Sequence, residues 1–301
     1  MILPDRDGEE GFVLMGSAPF PRSIVIEPHR IDACMEWALR NHSGRIAISP
    51  LGYSKLPDLC FLSRFPWVEH LTIQNSEMID ISGVSTLGRL RYLQISGATK
   101  QPLELVNFPL LRELRVQWWP KLRLGDVLAS LRVLSLSNYV PSSGDLTGLP
   151  EIPALDDLDL VLCHKLALSG IDRLPHLRRL TVAYFPKLAD LSPLAAFANG
   201  ILEILEFQNC PKLASHDQVR VIRSLRRLAF NRCGEIPSLS FLDDLQALES
   251  FSFVDTNIID GDLTPCLRLQ FAGFFNKRHY SHRESYFPPA TMPTKLTPLP
   301  D

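Results

Sequence analysis

None of the six cysteines (Cys34, Cys60, Cys163, Cys210, Cys233, Cys266) stands in a C-x-x-C pair, which excludes a zinc ribbon and thioredoxin-like redox chemistry. An excess of one charge is also missing. The 31 Lys and Arg face 33 Asp and Glu, for a formal net charge of −2, so no global field steers the chain toward nucleic acid or an anionic membrane. Nowhere do about eighteen apolar residues run together without charges, and no membrane span is expected. The first ten residues include Asp5, Asp7, Glu9 and Glu10 and lack an apolar run of the secretory kind, so no signal peptide is expected. No G-x-S-x-G, P-loop or H-E-x-x-H sequence occurs. These absences lead to the expectation of a cytoplasmic, non-enzymatic protein with no metal and no cofactor.

What the sequence does have is leucine at fixed offsets, within a hydrophobic fraction of 46%. A Leu-x-x-Leu-x-(Leu/Val/Ile/Phe) pattern runs through Leu90/Leu93/Ile95, Leu111/Leu114/Val116, Leu131/Leu134/Leu136, Leu155/Leu158/Leu160 and Leu177/Leu180/Val182. It continues through Leu202/Leu205/Phe207, Leu225/Leu228/Phe230 and Leu248/Phe251/Phe253, with degenerate copies at Val68/Leu71/Ile73 and Leu269/Ala272/Phe274. Successive central residues lie 20 (Leu114 to Leu134) to 25 (Leu180 to Leu205) positions apart. Leu-x-Leu alternation makes a short strand with one face inward, and the rest of each repeat must return the chain to begin the next strand alongside. One repeat cannot bury its leucines alone. Stacked repeats share a continuous apolar column and hold one another folded.

The expected fold class is therefore α/β: a solenoid with a parallel sheet on its concave face and mixed helical and irregular convex segments. Leu239, Leu242, Leu245 and Leu248, like Val219, Ile222 and Leu225, recur as a helix face would. Pro141 to Pro153 reads as irregular. The turn after the strand reads x-Pro-Lys-Leu at Trp119–Leu122, Phe185–Leu188 and Cys210–Leu213, and its first position is an inward slot shared by Cys163, Cys210 and Cys233. Free, buried thiols are expected there, with Trp119, Tyr139 and Phe185 as core residues in the same slot. The boundaries expected are 1–44 for an N-terminal extension with a capping helix at about 31–41, 45–276 for the solenoid, and 277–301 for a C-terminal cap and proline-rich tail. Ile31, Met35, Ala38 and Leu39 give the helix its spacing, and the tail begins at Phe287.

The repeat resembles the cysteine-containing class of leucine-rich repeats. The segments Thr256–Cys266 and Lys277–His282 resemble those of bacterial cytosolic repeat proteins placed as immunity proteins beside polymorphic toxins. That resemblance implies binding and neutralising a cognate toxin domain, with no binding residues to carry over.

Residues alternating with the buried leucines make the candidate partner-binding surface: Tyr92, Arg115, Asp157, Asp159, Arg179, Glu206 and Arg227. Trp118 and Tyr184, one position before the inward slot, are expected to be exposed anchors. The charges change sign from repeat to repeat, which suits a specific protein partner better than a polyanion. A toxin domain is the expected partner, bound by a protein that is monomeric when free. Asp157 and Asp159 read as recognition charges, and His279 and His282, spaced by three without acidic or cysteine partners, as cap or surface residues. The alternative is an adaptor or effector that recruits a host or signalling protein through the same face.

Overall fold

The computed structural model describes residues 5–6, 11–16, 22–41, 43–49, 56, 58–74, 80–97 and 99–288. The chain divides into two compact units, Met1–Ser137 with Leu149–Ala154, and Asn138–Gly148 with Leu155–Asp301.

The first unit contains β1 (Asp5–Arg6), β2 (Val13–Met15), β3 (Ser23–Val25), helix α1 (Ile31–Arg40), β4 (Arg45–Ile48) and β5 (His70–Ile73). After these come β6 (Tyr92–Ile95), β7 (Leu103–Glu104), β8 (Glu113–Gln117), β9 (Leu122–Arg123) and β10 (Val133–Ser137). The main sheet runs β1-β2-β3-β4-β5-β6-β8-β10, and β7 pairs with β9 apart from it. Pairing is antiparallel up to β3 and parallel from there on. Register puts Leu71, Leu93, Leu114 and Leu134 in one row, and all four are fully buried. In-register stacking of a side-chain period of two is what separates a leucine face from a polar face.

Two features of this unit differ from expectation. Strands β2 and β3 extend the sheet where only an extension and a helix were expected, with Val13, Val25 and Ala47 forming a small core cluster against Met15. At three residues each, they are too short to show an alternation. Helix α1 stands where expected and buries Cys34, Met35, Trp37 and Ala38. Leu39, however, is 56% exposed, because the face that meets the sheet is centred on Cys34 and Ala38.

The second unit contains β11 (Asp157–Val161), β12 (Arg179–Ala183), β13 (Ile204–Gln208), β14 (Arg227–Asn231), β15 (Ser250–Ser252) and β16 (Phe271–Gly273). All pair in parallel in sequence order. Leu158, Leu180, Leu205, Leu228, Phe251 and Ala272 share one row. Toward the C-terminus phenylalanines replace leucines and stack, Phe207 on Phe230 at 5.5 Å and Phe253 on Phe274 at 4.9 Å between ring centroids. Such aromatic pairs add about 0.5–1.5 kcal/mol beyond their buried area.

The return segments form 3₁₀ turns at Ser192–Phe197, His216–Val221, Ser240–Asp244 and Thr264–Arg268 instead of α-helices. A constant spacing of three is the 3₁₀ period. Leu242, Leu245 and Leu248 each donate a backbone hydrogen bond to the leucine three positions earlier, all at 2.9 Å, and all four leucines are buried.

Trp119, Tyr139 and Phe185 fill the inward slot as expected, and Trp119 Nε1 donates to the Gln101 carbonyl at 2.9 Å. Cys163 and Cys210 are buried there, Cys233 is half-buried, and all six thiols are free. Cys163 Sγ donates to the Val161 carbonyl at 3.3 Å, and burial pushes its pKa up to about 11. Cys60, outside that slot, is exposed, because it opens a surface 3₁₀ turn, Cys60–Arg64.

The basic segment after β16 is a built cap. Lys277 Nζ donates to Asn257 Oδ1 at 2.8 Å, His279 Nε2 meets the Ile258 carbonyl at 2.9 Å, and Leu263 N donates to Ser281 Oγ at 2.9 Å. Gly261, with φ of 69°, lies under this cap, where a Cβ would come 2.3 Å from the His279 carbonyl oxygen. Phe287, expected to begin the tail, is buried and meets the Phe274 ring edge-on at 5.4 Å. The aromatic end of the core extends to it. Residues 289–301 of the expected tail lie outside the described residues.

Candidate protein-binding surface

In the first unit the sheet face is built in columns. Arg45, His70, Tyr92, Glu113 and Val133 are register partners, and Ala47, Thr72, Gln94, Arg115 and Ser135 form the next column. The His70 ring stacks on Tyr92 with centroids 5.9 Å apart. Tyr92 Oη donates to Gln94 Oε1 at 2.7 Å, and Arg115 Nε donates to Glu113 Oε1 at 2.5 Å. Burial, then the Arg45 and Arg91 charges, pushes the His70 pKa down to about 4, so the imidazole is neutral at physiological pH. Tyr92 is pushed up, by burial first and the Glu113 charge second. Trp118, expected to be exposed, is half-buried, with its backbone N–H bonded to the Ser137 carbonyl at 2.8 Å.

In the second unit the strands bring Asp157, Arg179, Glu206 and Arg227 into one charge network. Arg179 Nη1 lies 3.8 Å from Asp157 Oδ2, and its Nη2 lies 3.6 Å from Glu206 Oε2. Arg227 Nη1 lies 3.9 Å from Glu206 Oε1. Asp159 is on the same face, in register with Thr181 and, through it, Glu206. Tyr184 is exposed as expected. Ile204 and Ala229, which alternate onto this face, are buried. Arg179 and Arg227 flank Ile204 in register, and both reach Glu206, so their aliphatic stems cover it. Because each cation sits against a carboxylate, these side chains are held in place before any partner arrives.

A surface depression of about 660 Å³ lies at the start of β13 to β16, lined in part by Glu203, Arg226, Glu249 and Arg268. Its charges are occupied: Arg226 with Glu249 at 2.6 Å and Glu203 with Arg178 at 2.6 Å. Arg268 donates to the carbonyls of Leu242 and Leu245. It clamps the return segment that precedes β15. Among the described residues no three His, Cys, Asp or Glu side chains converge to hold a metal ion. No helix among them is long and apolar enough to cross a membrane.

In-register parallel strands, alternating burial and short returns find a counterpart in a solved structure of an internalin (inlF) from Listeria monocytogenes. The likeness has a TM-score of 0.51 at 17% identity, over 78% of this chain and 70% of that one. The fold is a leucine-rich-repeat solenoid. A second internalin of the same species, inlC2, has a TM-score of 0.45 at 18% identity over 69% of this chain and 81% of that one. By sequence, 126 residues are 33% identical to the human volume-regulated anion channel subunit LRRC8E, covering 38% of this chain and 15% of that protein. The chain thus spans a small part of that relative's length. No family model matches.

Sequence reasoning passed over Leu162, which shares Tyr184's position after the strand and is also exposed. The available signal is that Asn138, Asn209 and Asp255 hold the same position in other repeats. Asn and Asp recurring there mark a left-handed turn.

Proposed function

We propose that this chain binds another protein through the sheet face of its repeats and, more narrowly, that it is a cytoplasmic immunity protein that neutralises a cognate bacterial toxin domain. The observation that carries the binding reading is the Asp157–Arg179–Glu206–Arg227 network, a polar surface whose charges alternate in sign and are already paired. Association costs free energy for every side chain it must order, so a surface fixed by strands and ion pairs binds with less loss. Alternating charges discriminate among partners more than they add raw affinity. Tyr92, Arg115, Trp118, Asp159 and Tyr184 complete the proposed surface. The immunity role draws on the resemblance of Thr256–Cys266 and Lys277–His282 to immunity proteins, and the cytoplasmic setting on six unpaired thiols.

The test is affinity capture with the full chain from its source cells, followed by mass spectrometry and co-expression of the captured protein in a sensitive host. Capture of a toxin whose growth defect is relieved by the chain, and no longer relieved after Asp159→Ala with Arg179→Ala, supports the reading. Toxicity unrelieved by the intact chain overturns the immunity role. Capture that survives those substitutions overturns the assignment to this face.

A further inference from the structure

The residue immediately before a strand stacks on its counterpart in the preceding repeat, because its backbone N–H donates to that counterpart's carbonyl. In the second unit Glu203 N donates to Arg178 at 2.8 Å, and Arg226 N to Glu203 and Glu249 N to Arg226 at 2.9 Å. The side chains of this row lie side by side and alternate in sign, so that Arg178 meets Glu203 and Arg226 meets Glu249, each at 2.6 Å. The same row in the first unit reads Glu69, Arg91, Arg112 and Arg132. Equivalent bonds hold it: Arg91 N to Glu69 at 2.7 Å, Arg112 N to Arg91 at 2.8 Å and Arg132 N to Arg112 at 2.8 Å. Neighbouring strands are about 4.8 Å apart, so three arginines follow one another where the second unit alternates. Like charges on neighbouring strands are destabilising. A local rule broken without a gain inside the fold is characteristic of functional positions.

Charge is not balanced along this edge. Glu69 serves two cations, with Oε1 3.4 Å from Arg89 Nη2 and Oε2 3.3 Å from Arg91 Nε. Arg112 is exposed, and among the described residues no carboxylate forms an ion pair with it. Its chain neighbour Glu113 is taken by Arg115. Arg132 has an interaction of its own and stays outside the balance. Arg89, Arg91 and Arg112 against the single carboxylate of Glu69 leave two positive charges.

The donors that this edge offers are guanidiniums. The backbone N–H groups of Arg91, Tyr92, Arg112, Glu113, Arg132 and Val133 all donate to carbonyls of the preceding repeat, so they cannot form the nest of N–H groups that cradles a phosphate. A guanidinium fork matches a carboxylate through two parallel hydrogen bonds. Glu69 closes one end of the row, which makes it too short for the evenly spaced phosphates of a nucleic acid. We propose that Arg89, Arg91 and Arg112 dock an acidic segment of a partner protein that brings two carboxylates to this edge, one to Arg112 and one to the arginines that share Glu69. The residues are other than those of the sheet-face surface proposed above, and the proposal does not rest on that reading.

The experiment immobilises the full chain and selects a phage-displayed library of random dodecapeptides against it, with the Arg112→Glu variant run in parallel. Enriched sequences are expected to carry two or more Asp or Glu residues. Peptides made from them should bind Arg112→Glu at least about tenfold more weakly, and added salt should weaken their binding to the intact chain. A duplex oligonucleotide and inorganic phosphate should compete poorly. Arg112→Glu should melt at or slightly above the intact chain, because a carboxylate between Arg91 and Arg132 restores the alternation seen in the second unit. A merely structural role for Arg112 predicts the opposite shift.

Basic or uncharged consensus sequences, equal binding to both forms, no enrichment, or a lower melting point of Arg112→Glu each overturn the inference. So does displacement of the peptides by the oligonucleotide or by phosphate at lower concentration than by free peptide, which would make the ligand a phosphate. A salt-sensitive self-association of the intact chain that Arg112→Glu loses overturns it as well. If the peptides ignore Arg112→Glu but are lost with Arg179→Ala, the sheet-face reading stands and this inference falls. If they are lost with Arg112→Glu and ignore Arg179→Ala, this inference stands whatever becomes of the sheet face.

Discussion

His216 makes the stability of the second unit depend on pH in a way that can be worked out. Its side chain is 1% exposed, neither ring nitrogen makes a hydrogen bond, and the ring meets Phe230 edge-on at 4.8 Å. Burial lowers its pKa from 6.5 to about 4, a shift that the Asp217 charge and the Ala214 backbone partly offset. The imidazole is thus neutral in the fold and protonates more readily when the chain unfolds. Below pH 6.5 the unfolded state gains a proton that the folded state refuses. Stability is full above that pH and is lost as pH falls toward 4. Between pH 7.5 and 4.5 the loss from this one group is about 2–3 kcal/mol. Urea unfolding followed by circular dichroism should show that loss in the intact chain, and His216→Leu should lose about 2 kcal/mol less over the same range. Parallel pH profiles for the two proteins, or an imidazole that titrates near 6.5 by NMR, would refute the reasoning.

The hydroxyl of Thr256 donates to the Phe230 carbonyl and accepts from Cys233 N at 2.9 Å inside the core. Thr256→Val should therefore lower urea stability by about 1–3 kcal/mol by orphaning both groups. An unchanged midpoint would show that water replaces the hydroxyl. Gly261→Ala forces a Cβ against the His279 carbonyl at positive φ. Hydrogen exchange should then quicken at Ser281, whose N–H donates to the Gly261 carbonyl, and exchange as slow as in the intact chain would contradict the cap geometry. Cys60 should react with a thiol reagent in the native protein, while Cys34, Cys163 and Cys266 should wait for denaturant. Mass mapping of the alkylated residues checks this, and early labelling of Cys163 would count against the packing of its slot.

The rows of leucine were legible because a period of two inside each strand and a recurrence of 20 to 25 residues between strands have one stacked solution. Which residues reach the sheet face follows from the same alternation, so Tyr92, Arg115, Asp159, Arg179 and Arg227 stand where the pattern puts them. Ile204 breaks the pattern because a side chain flanked by two long arginines can be covered without turning inward, and strand alternation carries no information about a neighbour's stem. That the return segments are helical was legible, but the kind of helix was not, for a different reason. Leucines spaced by three fit a helix face loosely and a 3₁₀ turn closely, and the hydrogen-bond period decides between them. Strands β2 and β3 left no signal at all, since three residues cannot establish a period. Leu162 needed backbone angles, because nothing in a leucine announces that its φ is positive.

The measurement that bears most directly on the division of faces is a paired series of melting and partner-binding assays on alanine substitutions at adjacent positions of β11 and β12. Asp159→Ala and Arg179→Ala should weaken binding of the captured partner while the melting point holds. Leu158→Ala and Leu180→Ala should cost about 2–5 kcal/mol each through the cavities they leave. If the aspartate and leucine variants at neighbouring positions shift melting and binding together, the separation of a buried face from a recognising face is wrong.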